Sequence, residues 1–423
     1  MREKLLFISA ENPFPQDSGG KLRTGNILNI LLDKYDVDLL TYRNSRPADD
    51  KHEVPGLAVH EVERTVNYRK AMLRSLYKRR NSEAPGLAVH EVERTVNYRK
   101  AMLRSLYKRR NSSYMSHVDV DMRGKIGELC RQNSYGHVFI SHSLLGSCID
   151  IVREVLPGTV IITDAHNFES GLSAQLAAKK KGLAKLFYSL NARWTKRDEL
   201  KLMDKTNLLL TTSEQDGLAF KSLSIPNSHK VHVIPNFIRI GDYPANTGIS
   251  KENWIILPGN MNYFPNINAA SYFNREIYPL IKAKVPEIKW YIVGRDVHPE
   301  VAALAEKDPS IVITGYVDSV ADYVRKAKVV IAPLREGSGT RLKILEAWAL
   351  KTPVVSSTKG AEGLLYEHSR NILIADDPVT FADSVIQLLH DHERGIVLAD
   401  RAYETLLANY EAGSVREKLL SLV

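Results

Sequence analysis

Short apolar runs alternate with segments of helical length along both halves of this 423-residue chain. In the first half, HVFIS at 137–141 and VIIT at 160–163 are each followed by turn residues. In the second half, WIIL at 254–257 and WYIV at 290–293 restart the same pattern. Such runs, separated by helices, are typical of parallel βαβ units. The sequence therefore predicts an α/β protein with two Rossmann-like domains that face each other across a cleft.

The domain boundary is predicted at a stretch rich in Pro, Gly, Asn and Thr, YPANTGISK at 243–251. We expect one domain over 1–245, a second over 246–400, and a helical segment over 401–423 that packs back on the N-terminal domain. Ligands of open parallel sheets bind beyond the carboxyl ends of the strands. The loops that follow strands are therefore the candidates for a functional site.

The net charge of +9 comes from one region of the chain. Residues 55–82 recur letter for letter at 85–112, and each copy carries seven Lys or Arg and two Glu. A single duplication is not a solenoid array, which needs several units to close a core. We therefore expect one copy to suffice for the fold, and the rest of the chain to be nearly neutral.

Two cysteines and a short apolar N-terminus indicate where the protein works. Cys130 and Cys148 provide neither a disulfide framework nor a metal cluster. The N-terminus lacks the longer apolar run and cleavage site of a signal peptide, and no stretch approaches the ~18 apolar residues of a membrane span. The expected location is the cytoplasm, with peripheral attachment to the inner face of the membrane as an option.

The strongest site motif is PLREGSGTRLKILE at 333–346, which follows the apolar run VVIA and opens a helix. Backbone N–H groups of a glycine-rich turn and a helix start attract anions, and Arg341 and Lys343 add positive charge. Glu346 lies three residues after Lys343 and so shares its helix face, where a carboxylate can accept ribose hydroxyls. The pattern predicts a nucleotide diphosphate site, although a plain turn before a surface helix with a Lys–Glu pair is the alternative. The turn consists of Gly337, Ser338, Gly339 and Thr340.

This segment and the following PVVSSTKGAEGL at 353–364 resemble the donor site of the retaining glycosyltransferases of family 4, which have the GT-B fold. The resemblance is closer to a bacterial subgroup of polysaccharide-type sugar transferases. They pair an opening similar to NPFPQDSGGKLRTGNIL at 12–28 with a middle DAHNFES at 164–170 and a late GSGTRLKILEAWALKTPVV at 337–355. The resemblance spans nearly the whole chain, apart from the extra copy of the duplicated segment.

The resemblance implies a hexosyl- or glycosyltransferase that moves a sugar from a UDP- or GDP-type nucleotide-sugar to a hydroxyl of a glycan or lipid-linked saccharide. It also implies retention at the anomeric carbon, no metal and no cofactor. Residues 1–245 then form the acceptor side, and 246–400 bind the nucleotide-sugar. Two alternatives stay open: a non-catalytic GT-B binding subunit of a glycan-assembly complex, and a GT-B sugar-nucleotide epimerase.

The chain departs from the family pattern at two places in this site. Family members commonly carry two glutamates with seven residues between them, whereas nine separate Glu336 from Glu346. Glu346 matches the ribose-binding glutamate, and Glu336 is the candidate for the position near the donor sugar. Many relatives place Arg and Lys after the first strand of the second domain, where this chain has Gly259 and Asn260. The diphosphate charge is therefore assigned to Arg341 and Lys343.

Two further loops of the second half follow apolar runs. Arg295 comes after WYIV and is either a phosphate ligand or a solvated loop residue. Tyr316 comes after IVIT, in a loop that meets the nucleobase in the family resemblance. The alternative for Tyr316 is a half-buried loop aromatic.

Loops of the first half supply the remaining candidates. In the resemblance, Gly19 and Gly20 face the diphosphate and sugar, and Lys21 or Arg23 is available to neutralise the leaving group. The alternatives are a loop that needs positive φ and two solvent-facing cations. A histidine matching His166 contacts the donor sugar in many family members, whereas a lone histidine is more often structural. Glu169 is an acceptor-side base or a helix cap, and His142 is a weaker candidate.

Basic segments with interleaved apolar residues suggest a further partner. RKAMLRSLYKRR at 69–80 and 99–110 and KKKGLAKLFYSLNARWTK at 179–196 suit amphipathic helices on anionic lipid. Solvated helix faces and RNA are the alternatives, but no nucleic-acid-binding motif is recognisable. The expected partners are a nucleotide-sugar donor and a saccharide or lipid-linked acceptor, with an anionic membrane surface as an option and no nucleic acid.

Overall fold

The computed structural model divides into two compact units, Met1–Ile234 with Val423, and Pro235–Leu422. The division falls before the predicted linker at 243–251, and residues 401–422 belong to the second unit. That 401–423 packs back on the N-terminal domain stays a prediction. The structure describes residues 2–14, 16, 19–43, 57–63, 107, 118, 120–178, 180–243, 249–337 and 341–423. The basic segments at 69–80 and 99–110 lie outside these residues, apart from Tyr107.

A seven-stranded parallel sheet in the order β3-β2-β1-β4-β5-β6-β7 forms the centre of the first unit. The apolar runs are completely buried because helices cover both faces of a parallel sheet. The order reverses direction between β1 and β4, which makes this edge the switch point of the sheet. The strands are β1 Glu3–Ser9, β2 Tyr35–Arg43, β3 Leu57–Glu63, β4 His137–Ser141, β5 Val160–Ala165, β6 Leu208–Thr211 and β7 Val231–Val233.

Helices connect these strands on either side of the sheet. Helix α6 shows how they begin: the Ser213 hydroxyl accepts the Asp216 N–H at 3.1 Å and so satisfies one of the free donors of the first turn. The helices are α1 Gly19–Leu32, α2 Val120–Gln132, α3 Cys148–Val155, α4 Glu169–Ala178, α5 Gly182–Lys205 and α6 Glu214–Leu223.

The second unit has a six-stranded parallel sheet in the order β10-β9-β8-β11-β12-β13. Its core contains Trp290, Phe273 and Phe381, whose rings contact one another edge to face. The strands are β8 Glu252–Pro258, β9 Lys289–Val293, β10 Ile311–Gly315, β11 Ala327–Ala332, β12 Val354–Ser356 and β13 Leu373–Ile374. The helices are α7 Phe264–Tyr272, α8 Tyr278–Lys284, α9 Pro299–Lys307, α10 Val320–Lys326, α11 Leu342–Ala349, α12 Pro378–His390, α13 His392–Asn409 and α14 Ala412–Leu422.

The predicted fold class of two Rossmann-like α/β domains is confirmed, with local differences. The sequence favours one helix around 267–280, but in the structure a π-helical turn at Phe273–Ile277 interrupts it. Pro279 has no N–H and its ring crowds the preceding turn, so the regular ladder cannot continue through it. Among the described residues, no helix is both long and apolar enough to cross a bilayer.

Candidate functional site

The loops after β8 and β11 lie side by side because these two strands are neighbours at the switch point of the second sheet. Gly259 follows β8 with φ 144°, and Gly337 lies in the loop after β11 with φ 105°. Both values are in the region that favours glycine. Bare backbone is thus presented at the sheet edge where open α/β sheets bind ligands.

The loops after β8 and β9 touch through their backbones. Gly294 follows β9 with φ 152°, and a Cβ atom there would lie 1.8 Å from the Gly259 carbonyl oxygen. The Gly259 N–H donates to the Val293 carbonyl at 2.9 Å, which fixes the same junction. Only glycine fits at position 294, so the position of Gly259 depends on it.

Lys343 places its ammonium group beside this bare backbone. Its Nζ donates to Asn266 Oδ1 at 2.8 Å, and Asn266 Nδ2 donates to the Asn260 carbonyl at 2.8 Å. A Cβ atom on Gly259 would come within 3.2 Å of Nζ. Burial and the neighbouring Arg341 lower the pKa of Lys343 to about 7, against the opposing effect of Glu346. The Lys343 ammonium group therefore lies beside the loop of Gly259 and can exchange its proton near neutral pH.

Glu346 lies one turn further along α11, on the helix face of Lys343 as predicted. Its Oε1 accepts the Tyr243 hydroxyl at 3.3 Å. Burial raises the pKa of Glu346 to about 7, although Tyr243 and Lys343 both act to lower it. Burial and the carboxylate together raise the pKa of Tyr243 above its usual range. The alternative from sequence, a Lys–Glu pair on a surface helix, is wrong, because both side chains are half-buried and the neighbouring residues Ile344 and Leu345 are buried.

Arg341 precedes α11, which begins at Leu342 rather than near residue 340. The side chain is 6% exposed and donates to the Lys359 carbonyl at 3.3 Å. Its Nη2 lies 3.7 Å from Glu362 Oε2, and a Cβ on Gly337 would lie 3.3 Å from Nη1. The guanidinium therefore flanks the glycine turn with its charge partly offset by Glu362. Of that turn, Ser338, Gly339 and Thr340 lie outside the described residues.

The other candidates of this unit occupy the same end of the sheet. Half-buried Glu336 accepts a hydrogen bond from Asn268 Nδ2. Arg295 lies with Nε 3.4 Å from Asp296 Oδ2. Tyr316 follows Gly315, whose φ is 66°, and is 74% exposed. The half-buried alternative for Tyr316 is wrong, and its ring is open to a stacking partner.

In the first unit, Gly19 and Gly20 are the first residues of α1 rather than part of a loop. Gly20 has no positive φ, so the alternative of a loop that needs positive φ is wrong at that position. A Cβ on Gly20 would make an ordinary 3.5 Å contact with Glu11. Their N–H groups lie at a helix start, where the macrodipole favours an anion.

His166 follows β5 and is oriented by a buried ion pair. Its Nε2 lies 3.1 Å from Asp164 Oδ2, which accepts the Arg23 Nε at 2.8 Å. Burial alone would raise the pKa of Asp164, but Arg23 and His166 lower it well below its usual range. Arg23 is 1% exposed and also donates to the Ile234 carbonyl. Its expected role beside the leaving group is therefore wrong, because its charge is used within the unit.

Further polar groups surround His166. The His142 ring lies 4.8 Å from the His166 ring, and His142 Nε2 lies 3.9 Å from Glu169 Oε1. Burial raises the pKa of Glu169, against a hydrogen bond from Asn167. Glu199 of α5 is buried and accepts the Ser170 N–H at 3.2 Å. Burial raises the pKa of Glu199 to about 8, so this carboxyl is largely protonated at neutral pH.

Comparison with known proteins assigns the second unit. Residues 252–391 match the family model of the glycosyl transferases group 1. The fold is similar to that of Anabaena HepE solved with UDP-glucose, at a TM-score of 0.64 and 11% identity over 99% of this chain and 98% of that one. The fold is also similar to that of sucrose-phosphate synthase from Thermosynechococcus elongatus, at a TM-score of 0.67 and 15% identity over 100% of this chain and 98% of that one. Residues 252–391 are thus similar to the glycosyl transferases group 1, and the fold of the chain is similar to that of GT-B proteins.

A Klebsiella pneumoniae protein is similar over its whole length. It is described as an uncharacterized 44.6 kDa protein in the cps region, and it is 21% identical over an alignment of 432 positions that covers 97% of each chain.

The matched residues 252–391 include every candidate site residue of the second unit, but some residues that contact these candidates were not predicted from the sequence. Asn266 lies a few residues after β8, so an examination of the loops that follow strands could have identified it. Tyr243 and Glu362 gave no signal, because only the folded chain brings them to Glu346 and Arg341. Among the described residues, no three His, Cys, Asp or Glu side chains are grouped to hold a metal ion.

Proposed function

We propose that this protein transfers a sugar from a UDP- or GDP-type nucleotide-sugar to a hydroxyl of a glycan or lipid-linked saccharide. We further propose that the reaction proceeds with retention and without a metal or cofactor. The family match over 252–391 and the UDP-glucose bound by the similar Anabaena protein support this proposal. The observation that carries it is the half-buried Lys343, whose ammonium group lies beside the backbone of Gly259, one turn before Glu346.

The diphosphate binds against Gly259 and Gly337, where the absent side chains let the backbone approach an anion. Lys343 supplies the full positive charge nearest to this backbone, since the charge of Arg341 is partly offset by Glu362. Glu346 accepts the ribose hydroxyls in place of the Tyr243 hydroxyl. Tyr316 stacks on the base, and Asn260 and Arg295 line the phosphate side.

The chemistry depends on the negative charge that grows on the leaving diphosphate as the glycosidic bond breaks. A preorganised cation at that place stabilises the transition state more than the ground state, typically by ~3 kcal/mol for each well-placed donor. The leaving phosphate assists deprotonation of the acceptor hydroxyl. We assign Glu336 to the sugar end of the donor, and His166, held by Asp164, to hydrogen bonding of sugar hydroxyls. Gly19 and Gly20 provide N–H groups to an anion.

Lys343→Ala tests the central assignment. We expect transfer to fall about 100-fold or more, because one transition-state donor is lost. Lys251→Ala is the matched control, since Lys251 is also a half-buried lysine of this unit and bonds only to Thr352 in the described contacts. Transfer is followed by release of nucleotide diphosphate with a panel of donors and acceptors. Equal activity of the two variants would contradict the assignment.

A thermal-shift panel of nucleotide-sugars distinguishes the alternative functions. A donor at 100 times its Kd stabilises the protein by ~2.7 kcal/mol, and Glu346→Ala should abolish that shift. Binding without donor hydrolysis or transfer would favour the non-catalytic subunit. Conversion of one nucleotide-sugar into another without an acceptor would favour the epimerase.

A further inference from the structure

Helices α4 and α5 form a hairpin in the first unit that carries a stripe of exposed cations. Exposed positions on α5 recur every three to four residues, so they lie along one side of the helix. We call this face, together with the turn between the helices, the hairpin surface. Its cations are Lys180, Lys181, Lys185, Arg193, Lys196, Arg197 and Lys201.

Exposed carboxylates are sparse along the hairpin surface. Between residues 171 and 203 the acidic side chains are Asp198 and Glu199, and both are buried, whereas Asp204 near the end of α5 is exposed. Among the described residues, the turn cations Lys180, Lys181 and Lys185 form no ion pair with a carboxylate. The turn end of the surface therefore presents positive charge to an approaching partner.

Two exposed leucines flank the turn of the hairpin. Leu176 near the end of α4 is 46% exposed, and Leu186 in the second turn of α5 is 58% exposed. Lys180, Lys181 and Lys185 lie between them in the sequence, and Lys180 Nζ lies 5.8 Å from the centre of the Tyr188 ring. Apolar side chains among lysines are typical of surfaces that enter the headgroup region of a bilayer, where lysine stems lie along apolar groups.

The opposite side of α5 belongs to the core of the first unit. Trp194, Leu202 and Met203 are buried there. Within 179–196 itself, Phe187 and Tyr188 are half-buried and Leu186 is exposed. That this segment lies on lipid as an amphipathic helix stays a prediction. The side of α5 that is left for a partner carries the cationic stripe and Leu186.

We propose that the hairpin surface docks the first unit on an anionic lipid bilayer. The lysines and Arg193 neutralise lipid phosphates, and Leu176 and Leu186 enter the headgroup layer. Nucleic acid fits less well, because Phe187, Tyr188 and Trp194 are half-buried or buried and offer no open ring for base stacking. This surface is independent of the proposed donor site and uses none of its residues.

Vesicle flotation with the full chain tests the proposal. Vesicles of phosphatidylcholine alone are compared with vesicles that also contain phosphatidylglycerol, at low and at high salt. The test variant combines Lys180→Gln, Lys181→Gln and Lys185→Gln. The matched control combines Lys284→Gln, Lys289→Gln and Lys307→Gln, which removes the same charge from exposed positions of the second unit.

We expect the wild type and the control to float with anionic vesicles only. The test variant should bind about 100-fold more weakly, because each lysine near an anionic surface contributes about fivefold. Leu186→Ser should remove the part of the binding that survives high salt. A thermal shift with the donor should be unchanged in both triple variants, so that failure here and failure of the donor site remain distinguishable.

Three results would overturn the proposal. The first is a wild type that does not float with anionic vesicles. The second is equal binding by the test and control variants, which would assign binding to another basic region. The third is binding of single-stranded RNA, without vesicle binding, that depends on the same three lysines, which would make the partner a nucleic acid.

Discussion

At the residue scale, the half-buried pair Lys343 and Glu346 is the feature most informative about function. Partial removal from water disfavours the charged form of each group and so shifts its pKa toward the neutral form. Here burial moves both pKa values to about 7, so each group changes its charge near neutral pH. A bound diphosphate favours the charged lysine, and ribose hydroxyls favour the charged carboxylate.

Donor binding should consequently be tightest near pH 7. Above about pH 7 Lys343 is increasingly neutral in the free protein, so binding takes up a proton and the affinity falls by up to about tenfold per pH unit. Below about pH 7 Glu346 is increasingly protonated and accepts the ribose hydroxyls less well. Calorimetry in two buffers of different ionisation enthalpy measures the proton uptake. Lys343→Met should bind more weakly and lose the alkaline limb, whereas constant affinity between about pH 7 and about pH 9 would contradict the assignment.

Sequence reasoning at this scale was successful where a neighbour lies one helical turn away. The shared face of Lys343 and Glu346 follows from their spacing of three. It was wrong for Arg23, whose partner Asp164 lies 141 residues away and is reached only in the folded sheet. The long-range partners Tyr243 and Glu362 were missed for the same reason.

At the element scale, the apolar runs located most strands, because a strand covered on both faces needs an unbroken apolar run. β4 has the predicted bounds, 137–141. β3, an edge strand of the first sheet, was missed; it lies in the first copy of the duplicated segment. β13 was also missed, because two residues are too few to form a recognisable apolar run. The π-helical turn before Pro279 depends on local backbone geometry that a helical pattern does not reveal.

Gly294→Ala tests the junction between the loops after β8 and β9. The variant should destabilise the second unit by roughly 3 kcal/mol or more, because its Cβ collides with the Gly259 carbonyl at a φ that suits only glycine. Donor binding should weaken as well, since Gly259 must move. Thermal unfolding with and without donor provides both readouts.

Gly395→Ala is the control for this test. Gly395 lies inside α13, where a Cβ would make an ordinary 3.7 Å contact with Pro353. Alanine in a helix interior should raise stability by roughly 0.5–1 kcal/mol. A Gly294→Ala variant as stable as this control would show that the two backbones do not approach as described.

At the scale of the whole molecule, two parallel sheets each end in a cluster of polar loops. The second unit provides cations and glycine backbone, and the first provides the His166–Asp164–Arg23 chain with Glu169 and Glu199. The sequence predicted this plan because repeated βαβ units specify parallel sheets and parallel sheets specify where their loops gather. It did not reveal which side of α5 is covered by the core, and hence which cations are left for a partner.

The most direct test of the central claim is a crystal structure of the full chain with its cognate nucleotide-sugar. We expect the diphosphate against the backbone of Gly259 and Gly337, with Lys343 Nζ within about 3 Å of a phosphate oxygen and the ribose hydroxyls on Glu346. A diphosphate bound away from Gly259 and Lys343 would contradict the claim.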